Sequence, residues 1–444
     1  MKSNNYTVSE YTEKQLREEA LRIITLLKND FVSPRGTFGL EKFRGDLSPH
    51  HIFSDFGDFL PFFLYFGEKK FIEDQVKLYG KFLHSGFLVS EFPSFKVNGL
   101  VKSYEYTDLL FGLKDYADFF KTPESKKLLD ETVLHAEKAF GLFGKMSSLF
   151  KPNLKFHIPI IDTRDGTFIE FFCEMERSFG GGKYLQTANN IFKQVFNNSF
   201  FKENGLLPTY FLYSWFKLLP VINGSIRHKF NEAEICKNNT NTLFALLNLY
   251  TLTSDKKVMR TIGTVVDALY SKATIYNGGI IKTYRPEKPL TNAFLTASFA
   301  LLDFLCDLYN IQKEEKYIIY AKSIADFWIE KQGTTGLFPL WGDGVESFLD
   351  SETDMTIALL KLYELTSVER YKKSADQCLG GIFKYHATNN YVLGVNIETG
   401  EVINSAQRTK FLALFLKLLI LKIETLSAPS IYQNTRLCNL IKDR

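Results

Sequence analysis

The chain has few cysteines, no long apolar run and almost no charge bias, and each shortage removes a class of function. Its five cysteines, Cys173, Cys236, Cys306, Cys378 and Cys438, are odd in number and widely spaced. None forms a C-x-x-C pair, which excludes a disulfide framework and a cysteine-zinc site and leaves them as small core residues. The most apolar stretch, Phe411 to Leu421, is broken by Lys417. It falls short of the roughly 18 to 20 apolar residues that span a bilayer, so it reads as a buried helix and no membrane association is expected. Met1 to Lys28 alternates charged and apolar residues with no secretory h-region, which predicts a cytoplasmic location. With 54 basic against 50 acidic side chains, a net charge of +4 leaves no footprint for nucleic acid. No G-x-x-x-x-G-K-Ser/Thr run occurs, and Gly180-Gly181-Gly182 falls in a short turn, so no nucleotide or other cofactor is expected. No ligand spacing assigns a metal.

What the chain does have is a large apolar and aromatic content, 45% and 15%, enough to bury an extensive core. It also has a repeat. Six times an apolar helix ends in a short polar turn and an amphipathic helix follows. The turns lie at Phe66–Lys70, Lys121–Ser125, Gly180–Lys183, Thr253–Lys256, Asn310–Glu314 and Thr366–Arg370. Their spacing of about 55 to 75 residues is that of stacked supersecondary units. First members such as Asn292 to Leu308 and Thr240 to Thr251 are apolar nearly all round, as helices packed on every side are. Second members such as Ser125 to Phe140, Asp255 to Tyr270 and Glu314 to Ile329 keep charge on one face. This predicts an all-α (α/α) toroid of six to seven hairpins with inner and outer helix layers.

Tyr11 to Phe31 is an outer-type helix without a preceding partner, and Asn404 to Ile423 an inner-type helix without a following one. Paired, they would close residues 1–444 into a single barrel domain, the alternative being an open helical solenoid. The hairpin pattern, most clearly Leu360-Lys361-Leu362-Tyr363-Glu364-Leu365-Thr366-Ser367-Val368-Glu369-Arg370-Tyr371, resembles the toroids of the six- and seven-hairpin glycosidase-like superfamily. That superfamily includes class I α-mannosidases, unsaturated glucuronyl hydrolases and N-acylglucosamine 2-epimerases. The resemblance is architectural, spans nearly the whole chain and carries over no catalytic residue. It implies a carbohydrate-active enzyme with a sugar or oligosaccharide ligand. Other helical toroids serve terpenoid cyclases, prenyltransferases and lanthionine synthetases, but the chain has no Asp-x-Asp-Asp run and no Cys-His pairing for zinc.

Outer-to-inner connections are long, as in Ser33 to Ser54, Phe200 to Asn239 and Gly333 to Leu349, and all fall on one face, where the inner helices begin. Long ordered loops of this kind carry binding and catalytic groups. Glycoside hydrolysis needs two carboxyl groups flanking the scissile bond, and Asp58, Asp165, Asp343 and Glu346 are the catalytic candidates. Asp55, Tyr104, Glu105, Asp108, Arg164, Glu170, Arg227, His228, Tyr284, Arg285, Trp341, Asp354, Gln407 and Arg408 are candidates for holding the sugar, with Trp341 as a stacking platform. Each has a competing structural explanation: helix caps for Asp55 and Asp58, an ion-pair ladder for Glu170, a wedge between helices for Trp341. Alternative functions are a sugar epimerase or polysaccharide lyase using His228, Tyr284 or Tyr104 to move a proton, or a glycan-binding scaffold without turnover.

Overall fold

The computed structural model describes residues 11–32, 36, 40–44, 46–49, 52–84, 96–97, 100–142, 144, 146–151, 156–158, 160–212, 228–276 and 278–427. Among them, fourteen longer helices alternate between two layers. The outer helices are α1 (Glu13–Asp30), α3 (Lys69–His84), α5 (Pro123–Phe140), α7 (Lys183–Val195), α9 (Lys256–Lys272), α11 (Glu315–Ile329) and α13 (Glu369–Gly381). The inner helices are α2 (Ile52–Tyr65), α4 (Tyr104–Phe120), α6 (Thr167–Phe179), α8 (Asn241–Thr253), α10 (Leu295–Gln312), α12 (Leu349–Thr366) and α14 (Thr409–Ser427). Each inner helix packs on the next, and α14 packs on α2, so the inner layer is a closed ring of seven. Each outer helix from α3 onward covers the inner helix before it, and α1 covers α14. No solenoid end is left open.

The inner-to-outer turns share one device. The chain reverses at a residue with positive φ: Gly67, Lys121, Gly180, Ser254, Lys313 or Ser367. At Lys121, Ser254, Lys313 and Ser367 this left-handed residue is the helix C-cap, and its N–H donates to the carbonyl four residues back. A side-chain cap then opens several outer helices, Thr122 for α5 and Asp255 for α9. At the start of the chain Thr12 and Gln15 form a reciprocal capping box on α1.

The opposite face carries an element that the helical periodicity does not announce. Short strands in the long connections pair in sequence around the opening. Leu100–Lys102 pairs with Leu149–Lys151, Ile160–Asp162 with Tyr210–Leu212, and Ala233–Glu234 with Thr283–Tyr284. Phe294 bridges to Trp341, Glu346–Phe348 pairs with Gly394–Asn396, and Gln407–Arg408 pairs with strand Leu40–Phe43. These pairings form a β collar on the rim. The collar shortens the last inner helix, which begins at Thr409 rather than near Asn404 because Val402–Asn404 and Gln407–Arg408 are extended. Cys173, Cys306 and Cys378 are buried between the helix layers. Among the described residues, no helix is long and apolar enough to cross a membrane.

Candidate active site

Seven helices that begin on one face bring their first turns to the axis of the ring. The result is a cavity of about 300 Å³ whose wall takes residues from every inner helix. Four carboxylates line it, one each from α2, α4, α6 and α12: Asp58, Asp108, Glu170 and Asp354. All four belong to the candidates read from the sequence. Asp303, from the middle of α10, is a fifth. The aromatic part of the wall is Phe62, Phe111, Phe244 and Phe299, phenylalanines on the inner helices themselves, with Pro61, Ala300, Ile357 and Leu414 completing the apolar lining.

The acids differ in setting. Asp58 Oδ2 lies 2.9 Å from Lys410 Nζ on α14, an ion pair across the first turns of neighbouring helices. Asp354 is 3.9 Å from Lys417 Nζ, and its side chain keeps 23% of its surface, which opens onto the cavity. Desolvation pushes the Asp354 carboxyl up to about 6, opposed by Lys417 and reinforced by Asp350 and Asp303. Lys361 of α12 is buried between two acids of α10, 2.7 Å from Asp303 and 2.6 Å from Asp307. Burial raises the Asp307 carboxyl, and Lys361 opposes it. Lys410, Lys417, Lys361, Asp303 and the phenylalanines are absent from the sequence-based candidates. The signal was available as lone charges inside otherwise apolar helices, which only a ring aligns on one axis.

The other candidates whose side chains are described lie outside the cavity wall. Asp165 sits in the 3₁₀ turn Thr163–Gly166 and is fully buried, its two oxygens accepting hydrogen bonds from the hydroxyls of Ser103 and Ser148. Desolvation, with Asp162 beside it, pushes this carboxyl up to about 7. It ties connections together behind the wall. Arg164, in the same turn, donates its backbone N–H to Asp162 at 3.0 Å. Asp343 is exposed on the rim and accepts from the Asn292 amide. Glu346 is opposite Asn396 in the collar, where burial raises its carboxyl. Trp341 is also in the collar, partly buried, its ring 4.6 Å from that of Phe294 and tilted against it. Tyr284 pairs with Ala233, Arg285 Nε donates to Glu232 at 2.8 Å, Gln407 donates to the Asn390 carbonyl, and Arg408 holds Glu41 at 2.8 Å. These four serve the collar, with Glu346 and Trp341, because the strands that form it consume the ends of the long connections. Arg227 lies outside the described residues, as do the side chains of Asp55, Tyr104, Glu105 and His228.

The chemistry available to the cavity is proton transfer and hydrogen bonding by carboxylates of unequal character. Among the described residues, no group of three or more His, Cys, Asp or Glu is placed to hold a metal ion. No protein-family model and no curated protein matches the sequence. Solved structures do match in fold. An α-1,2-mannosidase from Trichoderma reesei superposes with a TM-score of 0.67 at 14% identity over 93% of either chain. A D-mannose isomerase gives 0.59 at 11% identity, covering 95% of this chain and all of that one. A cellobiose 2-epimerase from Bacillus thermoamylovorans B4167 gives 0.55 at 13% identity over 72% of this chain and 88% of that one. With its closed ring of seven hairpins, the chain shares the (α/α) toroid fold of these solved structures.

Proposed function

We propose that this protein is a carbohydrate-active enzyme, a glycoside hydrolase, that admits the end of a sugar chain to the axial cavity and cleaves it between two carboxyl groups. The observation that carries this reading is the unequal setting of two cavity acids, Asp354 desolvated and Asp58 ion-paired with Lys410. An acid whose carboxyl is pushed up to about 6 keeps its proton under mildly acidic conditions, as protonation of a leaving oxygen requires. An acid ion-paired with Lys410 supplies the anion that activates water or attacks the sugar. The two stand on α12 and α2, the helices that flank α14, and both line the cavity. Asp108 and Glu170 accept hydroxyl hydrogen bonds, and the four phenylalanine rings pack on sugar C–H faces. That structural relatives act on mannosides, mannose and cellobiose supports the sugar class.

The same relatives favour epimerisation or isomerisation as the second reading. The two reactions leave different products. The test is incubation with a panel of oligosaccharides and free sugars, followed by NMR product analysis, for the wild type, Asp354→Asn and Asp58→Asn. New reducing ends, lost by about 10²- to 10⁴-fold in both variants with the fold intact, support the hydrolase. An isomeric sugar without a new reducing end means the second reading instead. Full turnover in both variants removes the two carboxylates from the mechanism.

A further inference from the structure

The ring is hollow at both ends of its axis. Beyond the mouth cavity, toward the tight inter-helix turns, lies a second chamber of about 430 Å³, larger than the first. It is lined by later turns of the inner helices. The two spaces share Glu170, Phe244, Asp303, Ile357 and Lys417, which make a waist between them. Of the residues that line the mouth cavity, only those at the waist also line this chamber.

We propose that the turn-face chamber is a binding site for a small, neutral, polyhydroxylated molecule of the monosaccharide class, distinct from the site at the mouth. Its charges are matched: Arg177, Lys361 and Lys417 against Glu170, Asp303 and Asp307. Two of the cations are already engaged, Arg177 with Glu174 at 2.6 Å and Lys361 with Asp303 and Asp307. The chamber therefore presents no surplus charge to an anion or a cation. Its uncharged polar groups are Asn248, Thr251 and Asn310. The Asn248 amide donates to the Phe244 carbonyl and the Thr251 hydroxyl to the Asn248 carbonyl, so these two offer a sugar hydroxyl acceptor lone pairs and the Asn310 amide adds a donor. Arg177 holds two of them in place, donating to Asn248 Oδ1 at 2.8 Å and to Thr251 Oγ1 at 2.8 Å. Between these lie Leu247, Ile311 and Leu421, an apolar surface for the C–H face of a ring. A few placed polar groups on an apolar wall, in a space of this size, is the usual composition of a small-molecule pocket. The inference stands on this lining and is independent of the reaction proposed for the mouth.

The test is calorimetric titration of the full chain with D-mannose, D-glucose, N-acetylglucosamine and D-glucuronate. Thr251→Trp fills the chamber from an exposed rim position, and Asn310→Ala removes one amide without adding bulk. The expected result is a saturable phase with a neutral sugar that weakens tenfold or more in Thr251→Trp and severalfold in Asn310→Ala, persists in Asp354→Asn, and is at least tenfold weaker for glucuronate. Circular dichroism of each variant confirms the fold, and Asn310→Ala decides the matter if the tryptophan variant does not fold. The proposal is overturned if no neutral sugar binds saturably, if the uronate binds more tightly, or if binding ignores the chamber variants and disappears in Asp354→Asn. A protein that shows the chamber phase without turnover would retain this site and lose the hydrolase reading.

Discussion

Lys417 Nζ lies 3.9 Å from Asp354 Oδ1, joining α14 to α12 at the waist of the ring. The lysine stabilises the ionised carboxylate and so works against the burial that raises its pKa. Removing the charge lets burial act alone. In Lys417→Met the pKa of Asp354 rises above about 6, and the alkaline limb of the pH dependence of kcat/KM moves to higher pH, since a general acid is active while protonated. A limb that stays put or moves down would disconnect Asp354 from the proton transfer.

The Lys361 triad makes a stability prediction. Removing the cation, itself buried, leaves Asp303 and Asp307 facing each other at the chamber wall without the charge that neutralises them. Lys361→Met is expected to destabilise by about 3 to 5 kcal/mol, the cost of stranding a buried charge. Adding Asp303→Asn and Asp307→Asn to that variant restores much of the loss. Urea denaturation of the single and triple variants checks both statements.

Asp165 ties acidity to stability. Its carboxyl is pushed up to about 7 in the folded protein, against an unfolded value of 3.8, so the folded state binds the proton more tightly. Its contribution is full below about pH 4 and is lost as pH rises through about 7. The neighbours in this balance are Asp162, which raises the value, and Arg164, Ser103 and Ser148, which lower it. Asp165→Asn removes this slope, so its urea midpoints at pH 5 and pH 8 differ less than those of the wild type.

The left-handed turn residues offer a gain. Ser367 has φ 54° and an exposed side chain, and its N–H donates to the Tyr363 carbonyl at 2.6 Å. Glycine takes this conformation without the Cβ clash, so Ser367→Gly is expected to stabilise by about 1 kcal/mol. A higher Tm in thermal unfolding checks it.

The ring was legible because its two signals are local. Apolar helices such as Leu295–Gln312 and the polar turns after them are visible within about 20 residues of chain. The four cavity carboxylates were legible for a related reason, as acids at the starts of apolar helices. Asp165 has the same look, and the structure places it elsewhere because the 3₁₀ turn before α6 rotates its carboxyl onto Ser103 and Ser148. Trp341 and Arg408 are drawn aside by the collar, whose strands of two to four residues are too short to show a period of two. Lys361 and Asp303 are single charges in separate helices, and only contact between residues 58 positions apart gives them meaning.

The contact of α1 with α14 bears on how the molecule is made. Helix α1 has its partner far along the chain, so its apolar face, Leu16, Ala20, Ile23 and Leu27, stays uncovered until residues 409–427 have left the ribosome. Hairpins in between can assemble as an arc during translation, but the arc has two sticky ends. Such an intermediate is prone to association with other nascent chains until α1 and α14 meet and close the ring.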